Sequence, residues 1–126
     1  MSMRSDLGKV RGLGAAHSGT EHFLMQRVTA VANVPLVIFL LYFVISHLGA
    51  PRAAVLASLK NPLAAIALSL SIISITWHMK LGLQMVIEDY VHGHGAKITA
   101  LLVNLFYALG LAAIGLYAIL KMSFGV

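Results

Sequence analysis

A histidine lies deep within an apolar stretch of this sequence, and two polar residues follow it at helical spacing. His78 precedes Gly82 by about one helical turn, and Asp89 and Tyr90 follow His78 after eleven and twelve residues. Eleven residues span roughly 16 Å of helix, so His78 lies far inside a hydrocarbon layer if Asp89 marks its edge. Ionisable side chains at that depth are rare and usually functional. His78 is therefore a candidate metal ligand, and the alternative is a neutral imidazole hydrogen-bonded to a neighbouring helix.

The helix face that carries His78 is small and polar. Its members recur at helical spacing: Ala67, Ser71, Ser74, His78, Gly82, Met85 and Asp89. A stripe of this kind packs against another helix or a flat ligand rather than against lipid. Gly82 removes bulk beside the imidazole, which suits either a planar macrocycle or a tight helix crossing. The chain offers the stripe no evident mate, so we expect a helical partner outside it.

Arg27 and the residues around Tyr90 offer further binding chemistry. Arg27 opens the preceding apolar segment, where it either anchors the topology or clamps an acidic group such as a cofactor carboxylate. Glu88 and Asp89 are adjacent acids, for which a solvated helix end is the simpler interpretation. Tyr90 has the position of an aromatic anchor at a membrane boundary. Lys80 is expected to extend its ammonium group toward the same boundary.

The remaining histidines carry weaker signals. His92 and His94 flank a glycine, but a pair of imidazoles alone is a weak indication of a metal, and we expect both to be solvated. We expect the same of His17. His47 lies near the opposite end of the apolar segments, with no evident partner in the chain.

The composition around these residues is typical of a membrane protein. The chain has 126 residues, of which 60% are hydrophobic and 10% charged, and its mean hydropathy is +0.90. Soluble domains carry about 25% charged residues, so the composition excludes an ordinary soluble enzyme, a disordered linker and a nucleic-acid-binding tail. Cysteine is absent, which excludes disulfides, thiolate zinc sites and cysteine-ligated iron–sulfur clusters.

Three apolar segments must position the candidate site. They cover about residues 28–48, 62–87 and 98–120, and each is long enough to cross a hydrocarbon core, which takes about 20 residues. Backbone groups in lipid must be hydrogen-bonded within the segment, so each is expected to be a helix. The sequence therefore predicts an all-α integral membrane protein. It is a single domain of three transmembrane helices, up-down-up, with a short polar tail over residues 1–26.

Breaks and charges between the segments predict the topology. Gly49–Arg52 ends the first segment and Asn61-Pro62 starts the second, while Pro35 is expected to kink the first helix. Lys and Arg number six on the N-terminal side of the membrane and three on the other, which favours a cytoplasmic N-terminus. The first residues contain no apolar run, so we expect a cytoplasmic tail rather than a signal or transit peptide. We accordingly expect a bacterial inner membrane rather than a mitochondrial one.

The run from His78 to Tyr90 resembles the second helix of a known family, the small hydrophobic membrane anchor subunit of succinate dehydrogenase (respiratory complex II). The family pattern is a His, a Gly four residues on, and an Asp-Tyr pair eleven and twelve residues on, and all of these are present. The run from His22 to Ala30 matches through Arg27 and the Thr-Ala pair that follows it. The three helices match as well, so the resemblance covers nearly the whole chain.

The resemblance implies roles for four residues. His78 is implied to be an axial ligand of haem b, with the second axial ligand supplied by a larger cytochrome b-type anchor subunit. Tyr90 is implied to hydrogen-bond a carbonyl oxygen of ubiquinone, with Asp89 supporting it or handling protons. Arg27 is implied to lie near the haem propionates and the quinone pocket.

The N-terminal match departs from the family at one place. A family His near the propionates corresponds to Glu21, and His22 stands one position beyond it. His22 is therefore a candidate cofactor contact by its neighbourhood alone.

By this resemblance the chain would anchor the flavoprotein and iron–sulfur subunits to the membrane. With the cytochrome b-type subunit it would form the site where electrons from succinate oxidation reduce ubiquinone, and it would have no succinate chemistry of its own. Two alternatives stay open. One is the anchor of a fumarate reductase, which runs in the opposite direction. The other is a haem-free structural or transport protein in which His78 packs or relays protons.

Overall fold

The computed structural model of the chain describes residues 5–12 and 19–125. All regular structure in this part is helical, which confirms the predicted class. The helices are α1 (Asp6–Val10), α2 (Gly19–Ser46), α3 (Arg52–Leu59), α4 (Pro62–Tyr90) and α5 (His94–Phe124). By length and composition, α2, α4 and α5 can each cross a membrane, which confirms the three predicted membrane helices.

The helices begin and end differently from the expected bounds. α2 begins at Gly19 rather than near residue 28, and α5 begins at His94 rather than near residue 98. The prediction followed hydrophobicity, whereas a helix continues into polar residues as long as its backbone hydrogen bonds do. Glu21 in the first turn of α2 also favours this extension, because a carboxylate there complements the helix dipole.

A short helix that the sequence did not indicate joins α2 to α4. α3 covers eight residues, and its last residue, Leu59, is almost fully buried. α4 then begins as predicted at Pro62, where the side-chain oxygen of Asn61 accepts a hydrogen bond from the backbone N–H of Leu63 at 3.0 Å. A proline in the first turn of a helix has no N–H to leave unpaired.

The three long helices run antiparallel in sequence order. Thr29 meets His78 and Leu36 meets Ser71 between α2 and α4, so residue numbers rise on one helix as they fall on the other. α5 reverses again, because Asn104 contacts Lys80 and Gly115 lies against Ile72, so residue numbers rise on α5 as they fall on α4. α4 packs against both neighbours, whereas α2 and α5 do not approach each other in the described ranges. The up-down-up order is therefore present, and its orientation in the membrane stays a prediction.

The best-packed apolar cluster lies at the end of the molecule opposite Asp89. Leu59, Leu68 and Ile119 form its buried centre, so it joins α3, α4 and α5. Partly buried side chains pack around them: Phe39, Leu40, Phe43, Val55, Ala65, Ile72 and Met122. One end of the three-helix layer is thus held by apolar packing, and the acidic residues Glu21, Glu88 and Asp89 lie at the other end.

Most of the apolar surface of the layer is exposed. In the most apolar windows of the three long helices, only 6% to 11% of residues are buried within the chain. Exposed apolar surface on this scale indicates contact with lipid or with another protein. Within the chain His78 is therefore in contact with α2, while most of the apolar surface of the three long helices has no partner in the described structure.

Candidate functional site

His78 is held by the neighbouring helix α2. Its Nδ1 atom lies 2.9 Å from the hydroxyl oxygen Oγ1 of Thr29, and Thr29 is buried while His78 is half-buried. The other ring nitrogen, Nε2, has no hydrogen-bond partner among the described residues. It is also not one of the fully buried polar atoms that lack a partner. The imidazole is thus tied to α2 through one nitrogen, and the second nitrogen is free.

Three positions of the polar stripe of α4 meet α2, so the expectation that the chain offers the stripe no mate was wrong at these positions. Ser71 is fully buried and donates its hydroxyl to the Ala67 carbonyl at 2.8 Å, with the Leu36 carbonyl at 3.4 Å. His78 meets Thr29 as described. A Cβ added to Gly82 would lie 3.8 Å from Nε2 of Gln26. The sequence carries a signal for this match that we missed, because His22, Gln26, Thr29 and Asn33 recur at helical spacing on one face of α2.

A cavity of about 440 Å³ with charged residues in its lining opens between the first turns of α2 and the last turns of α4. It brings together two of the predicted site residues, His22 and Asp89, and Trp77, the neighbour of His78 in sequence. The remaining lining residues are Gly19, Glu21, Met25, Lys80, Leu81, Gln84, Met85 and Glu88. Nε2 of His22 is buried without a partner in the described part of the chain. The cavity therefore presents acids, a lysine and an unpaired imidazole nitrogen at one end of the molecule.

A series of side-chain hydrogen bonds runs along α4 from Lys80, close to His78 in sequence, to Glu88 at this end of the molecule. The ammonium group of Lys80 donates to Oε1 of Gln84 at 2.7 Å, and Nε2 of Gln84 donates to Oε1 of Glu88 at 2.8 Å. The ammonium group of Lys80 also lies 5.4 Å from the ring centre of Trp77. Lys80 thus extends toward the Asp89 end, as expected from its position.

Arg27 and Tyr90 lie outside the cavity and are both exposed. The Arg27 guanidinium lies 5.1 Å from the ring centre of Phe23, and no carboxylate in the described ranges is within ion-pair distance of it. Tyr90 ends α4 and is 77% exposed. The structure therefore places His22 and Asp89 together and leaves Arg27 and Tyr90 facing outward.

The other histidines are solvated or serve the fold. His92 and His94 are exposed, as expected, and His17 lies outside the described residues. His47 was expected to have no partner, and that was wrong. Its Nε2 lies 2.8 Å from the Ser58 hydroxyl and its Nδ1 lies 2.8 Å from the Phe43 carbonyl, so it joins α2 to α3. The partner was hidden because α3 itself was not expected.

Nowhere in residues 5–12 and 19–125 do three or more His, Asp or Glu side chains gather in a group that could hold a bare metal ion. A lone imidazole with one free nitrogen instead fits a metal whose equatorial ligands come from a cofactor. Sequence reasoning missed Thr29 as the neighbour of His78. Its signal was a hydroxyl within an apolar segment, directly after Arg27 and Val28.

Comparisons with known proteins agree with this architecture. The model of the family described as succinate dehydrogenase/fumarate reductase transmembrane subunit matches residues 1–119. A succinate dehydrogenase hydrophobic membrane anchor subunit of Rickettsia bellii is 34% identical over 111 residues, which cover 87% of this chain and 89% of the relative.

Similar chains also occur in other organisms. The corresponding subunit of Paracoccus denitrificans is 30% identical over 90% of this chain and 88% of its own length. A succinate dehydrogenase membrane anchor subunit of Reclinomonas americana is 28% identical over 67% and 72%. No solved structure matches significantly. The family match covers most of the chain, and it agrees with the resemblance carried by residues 78–90. The chain therefore belongs to the succinate dehydrogenase/fumarate reductase transmembrane subunit family.

Proposed function

We propose that this chain is the hydrophobic anchor of a succinate dehydrogenase and that it binds haem b jointly with a second membrane subunit. The observation that carries the proposal is the state of His78. Its imidazole lies at mid-helix, is oriented from α2 through Nδ1, and keeps Nε2 free. The alternative of a hydrogen-bonded packing histidine accounts for Nδ1, but it leaves Nε2 without a role.

The open layer of three helices supports a shared site. Within the described ranges α4 has α2 and α5 as its long neighbours, and no group of three or more His, Asp or Glu side chains gathers there. We therefore assign the second axial ligand to a cytochrome b-type partner that packs on the exposed apolar surface. Bound haem b supplies one-electron chemistry at its iron, with a potential set by its axial ligands and its surroundings.

Arg27 is the residue that we assign to the haem propionates. It lies on α2 two residues before Thr29, the contact of His78, and its guanidinium has no carboxylate partner in the part of the chain that is described. A guanidinium can bind a carboxylate through two parallel hydrogen bonds. His22, which lines the neighbouring cavity with an unpartnered Nε2, is a second contact that this arrangement allows.

Ubiquinone is proposed to bind at the Asp89 end. The exposed hydroxyl of Tyr90 is available to donate a hydrogen bond to a quinone carbonyl oxygen, which favours the build-up of negative charge there during reduction. Reduction to ubiquinol also consumes protons. Asp89 lies beside Tyr90 and lines the cavity, so we assign proton delivery to the quinone to this residue.

The partners and location follow from the same proposal. The electrons come from succinate oxidation in a flavoprotein subunit and pass through an iron–sulfur subunit that docks at the end of the molecule with Asp89 and Tyr90. The similar chains of Rickettsia and Paracoccus support the inner membrane of a bacterial cell.

The decisive experiment is a dithionite-reduced minus oxidised spectrum of the complex purified gently from its native membranes. We expect a b-type band in the parental complex and its loss in His78→Ala, because an alanine has no nitrogen to bind iron. His92→Ala is the matched control, since it removes an exposed histidine outside the membrane helices and should keep the band. An unchanged b-type spectrum in His78→Ala would contradict the ligand assignment.

The fumarate reductase alternative has support in the family match, whose description covers both enzymes. The two differ in the direction of electron flow and in the quinone used. Extracted quinone from the purified complex separates them: ubiquinone supports succinate oxidation, and a quinone of lower potential supports fumarate reduction.

A further inference from the structure

We propose that Thr29 is a positioning residue for the haem ligand: its hydroxyl accepts the Nδ1–H of His78 and so fixes the ring tautomer that leaves the Nε2 lone pair free for iron. This inference rests on the proposed function, because it concerns how this chain prepares its half of the haem site. In the described part of the chain, the hydroxyl of Thr29 has hydrogen-bond partners only in the imidazole and in its own helix.

The direction of the hydrogen bond follows from the single proton of the hydroxyl. Oγ1 of Thr29 lies 2.8 Å from the Met25 carbonyl oxygen and 3.2 Å from the Gln26 carbonyl oxygen on its own helix. Threonine in a helix commonly donates to a carbonyl one turn back. With its proton directed there, Oγ1 has only lone pairs to offer to Nδ1 of His78, 2.9 Å away. The imidazole must then be the donor.

The consequence for the ring is a defined tautomer. A neutral imidazole carries one proton, so protonation at Nδ1 leaves Nε2 as an acceptor. Histidines that bind metals commonly donate their other N–H to an oxygen, which orients the ring and raises its basicity. Here the oxygen is a buried hydroxyl on the neighbouring helix, so the packing of α2 on α4 sets the orientation of the ligand.

Thr76 supplies a matched control on α4. Its hydroxyl donates to the carbonyls of Ile72 at 2.7 Å and Ile73 at 3.1 Å, the same pattern of backbone contacts that Thr29 makes. Thr76 has no hydrogen bond to a side chain on another helix in the described structure. Thr76→Val therefore removes an intrahelical hydroxyl without removing a contact to His78.

The test compares Thr29→Val, Thr29→Ala, Thr29→Ser and Thr76→Val in the complete complex from native membranes. The readouts are haem content, the haem midpoint potential from a redox titration, and the electron paramagnetic resonance signal of the oxidised haem. For Thr29→Val we expect the midpoint potential to rise and the signal to shift, because a less basic imidazole stabilises the ferric state less. Loss of haem from Thr29→Val also supports the proposal if Thr29→Ser keeps it.

The rescue and the control make the test decisive. Thr29→Ser retains a hydroxyl and should return both the potential and the signal to parental values, and Thr76→Val should leave both unchanged. Thr29→Ala gives the same comparison if Thr29→Val fails to assemble. Parental values in Thr29→Val or Thr29→Ala, or a failure of Thr29→Ser to restore them, would overturn the role of the hydroxyl.

The failure of this inference is distinguishable from that of the proposed function. If His78→Ala loses the b-type band while the Thr29 variants behave as the parent, only the role of Thr29 is wrong. If His78→Ala keeps the band, the ligand assignment and the inference fall together.

Discussion

Tyr90 and Asp89 illustrate how little a single residue type says until its neighbours are known. Both were expected at a membrane boundary, and both lie at the last turn of α4. Asp89 lines a cavity with His22 and Lys80, whereas Tyr90 projects outward. The two adjacent residues therefore face different surroundings, one within this chain and one toward whatever covers the end of the layer.

At this scale we predict the effect of Tyr90→Phe, which removes only the hydroxyl. One hydrogen bond to substrate contributes about 1.5 kcal/mol, so quinone reduction should fall about tenfold in kcat/KM. The haem spectrum should stay parental. The control is Tyr117→Phe, which changes another exposed tyrosine, on α5 and away from Asp89. Steady-state assays with ubiquinone as acceptor measure both, and equal activities of the two variants would refute the role of Tyr90.

At the scale of elements, the contact of α4 with α5 depends on a glycine, Gly115, which has no side chain. A Cβ added to Gly115 would lie 2.9 Å from Cγ2 of Ile72, which is closer than ordinary packing distance. Ile72 is β-branched and cannot easily turn away. A small residue at this position lets the two helices approach, as is common between helices in membranes.

We therefore predict that Gly115→Val destabilises the packing of α5 on α4. Overpacking of this kind costs about 1–3 kcal/mol, and it should lower the midpoint of thermal unfolding of the purified complex. Gly110→Ala is the control on the same helix, because an added Cβ there meets no atom within 4 Å. It should leave the midpoint unchanged or raise it slightly. Equal midpoints for Gly115→Val and Gly110→Ala would show that the close approach has no energetic weight.

At the scale of the whole molecule, the layer has two unlike ends. Apolar packing joins α3, α4 and α5 at one end, and the cavity lined by Asp89 and His22 occupies the other. The excess of Lys and Arg on the side of Asp89 predicts that this end faces the cytoplasm. That orientation also suits docking of a soluble iron–sulfur subunit.

The orientation is testable with single cysteines, since the chain has none of its own. Ala96→Cys lies near the start of α5 and Ala53→Cys lies in α3, and both positions are exposed. A membrane-impermeant maleimide added to spheroplasts should label Ala53→Cys and should label Ala96→Cys only after lysis and denaturation. The opposite pattern of labelling would place the N-terminus outside the cytoplasm.

The sequence by itself determined the helices and the depth of His78. Runs of apolar residues long enough to cross a bilayer must be helical, since unpaired backbone groups are too costly in lipid. The spacing of His78 and Asp89 then follows from helix geometry alone. The short helix α3 escaped prediction because eight residues with a small apolar face give little periodic signal.

Only the tertiary structure decided which faces meet. In a membrane, lipid is as apolar as a helix interface, so apolar residues do not mark the packed side of α2. The polar residues Gln26, Thr29 and Asn33 share one face of α2, but they do not give the register of that face against α4. The hydroxyl of Thr29 and the imidazole of His78 stand 49 positions apart, and their contact depends on the register and rotation of α2 against α4. That packing orients the imidazole of His78 through Nδ1 and leaves its Nε2 free.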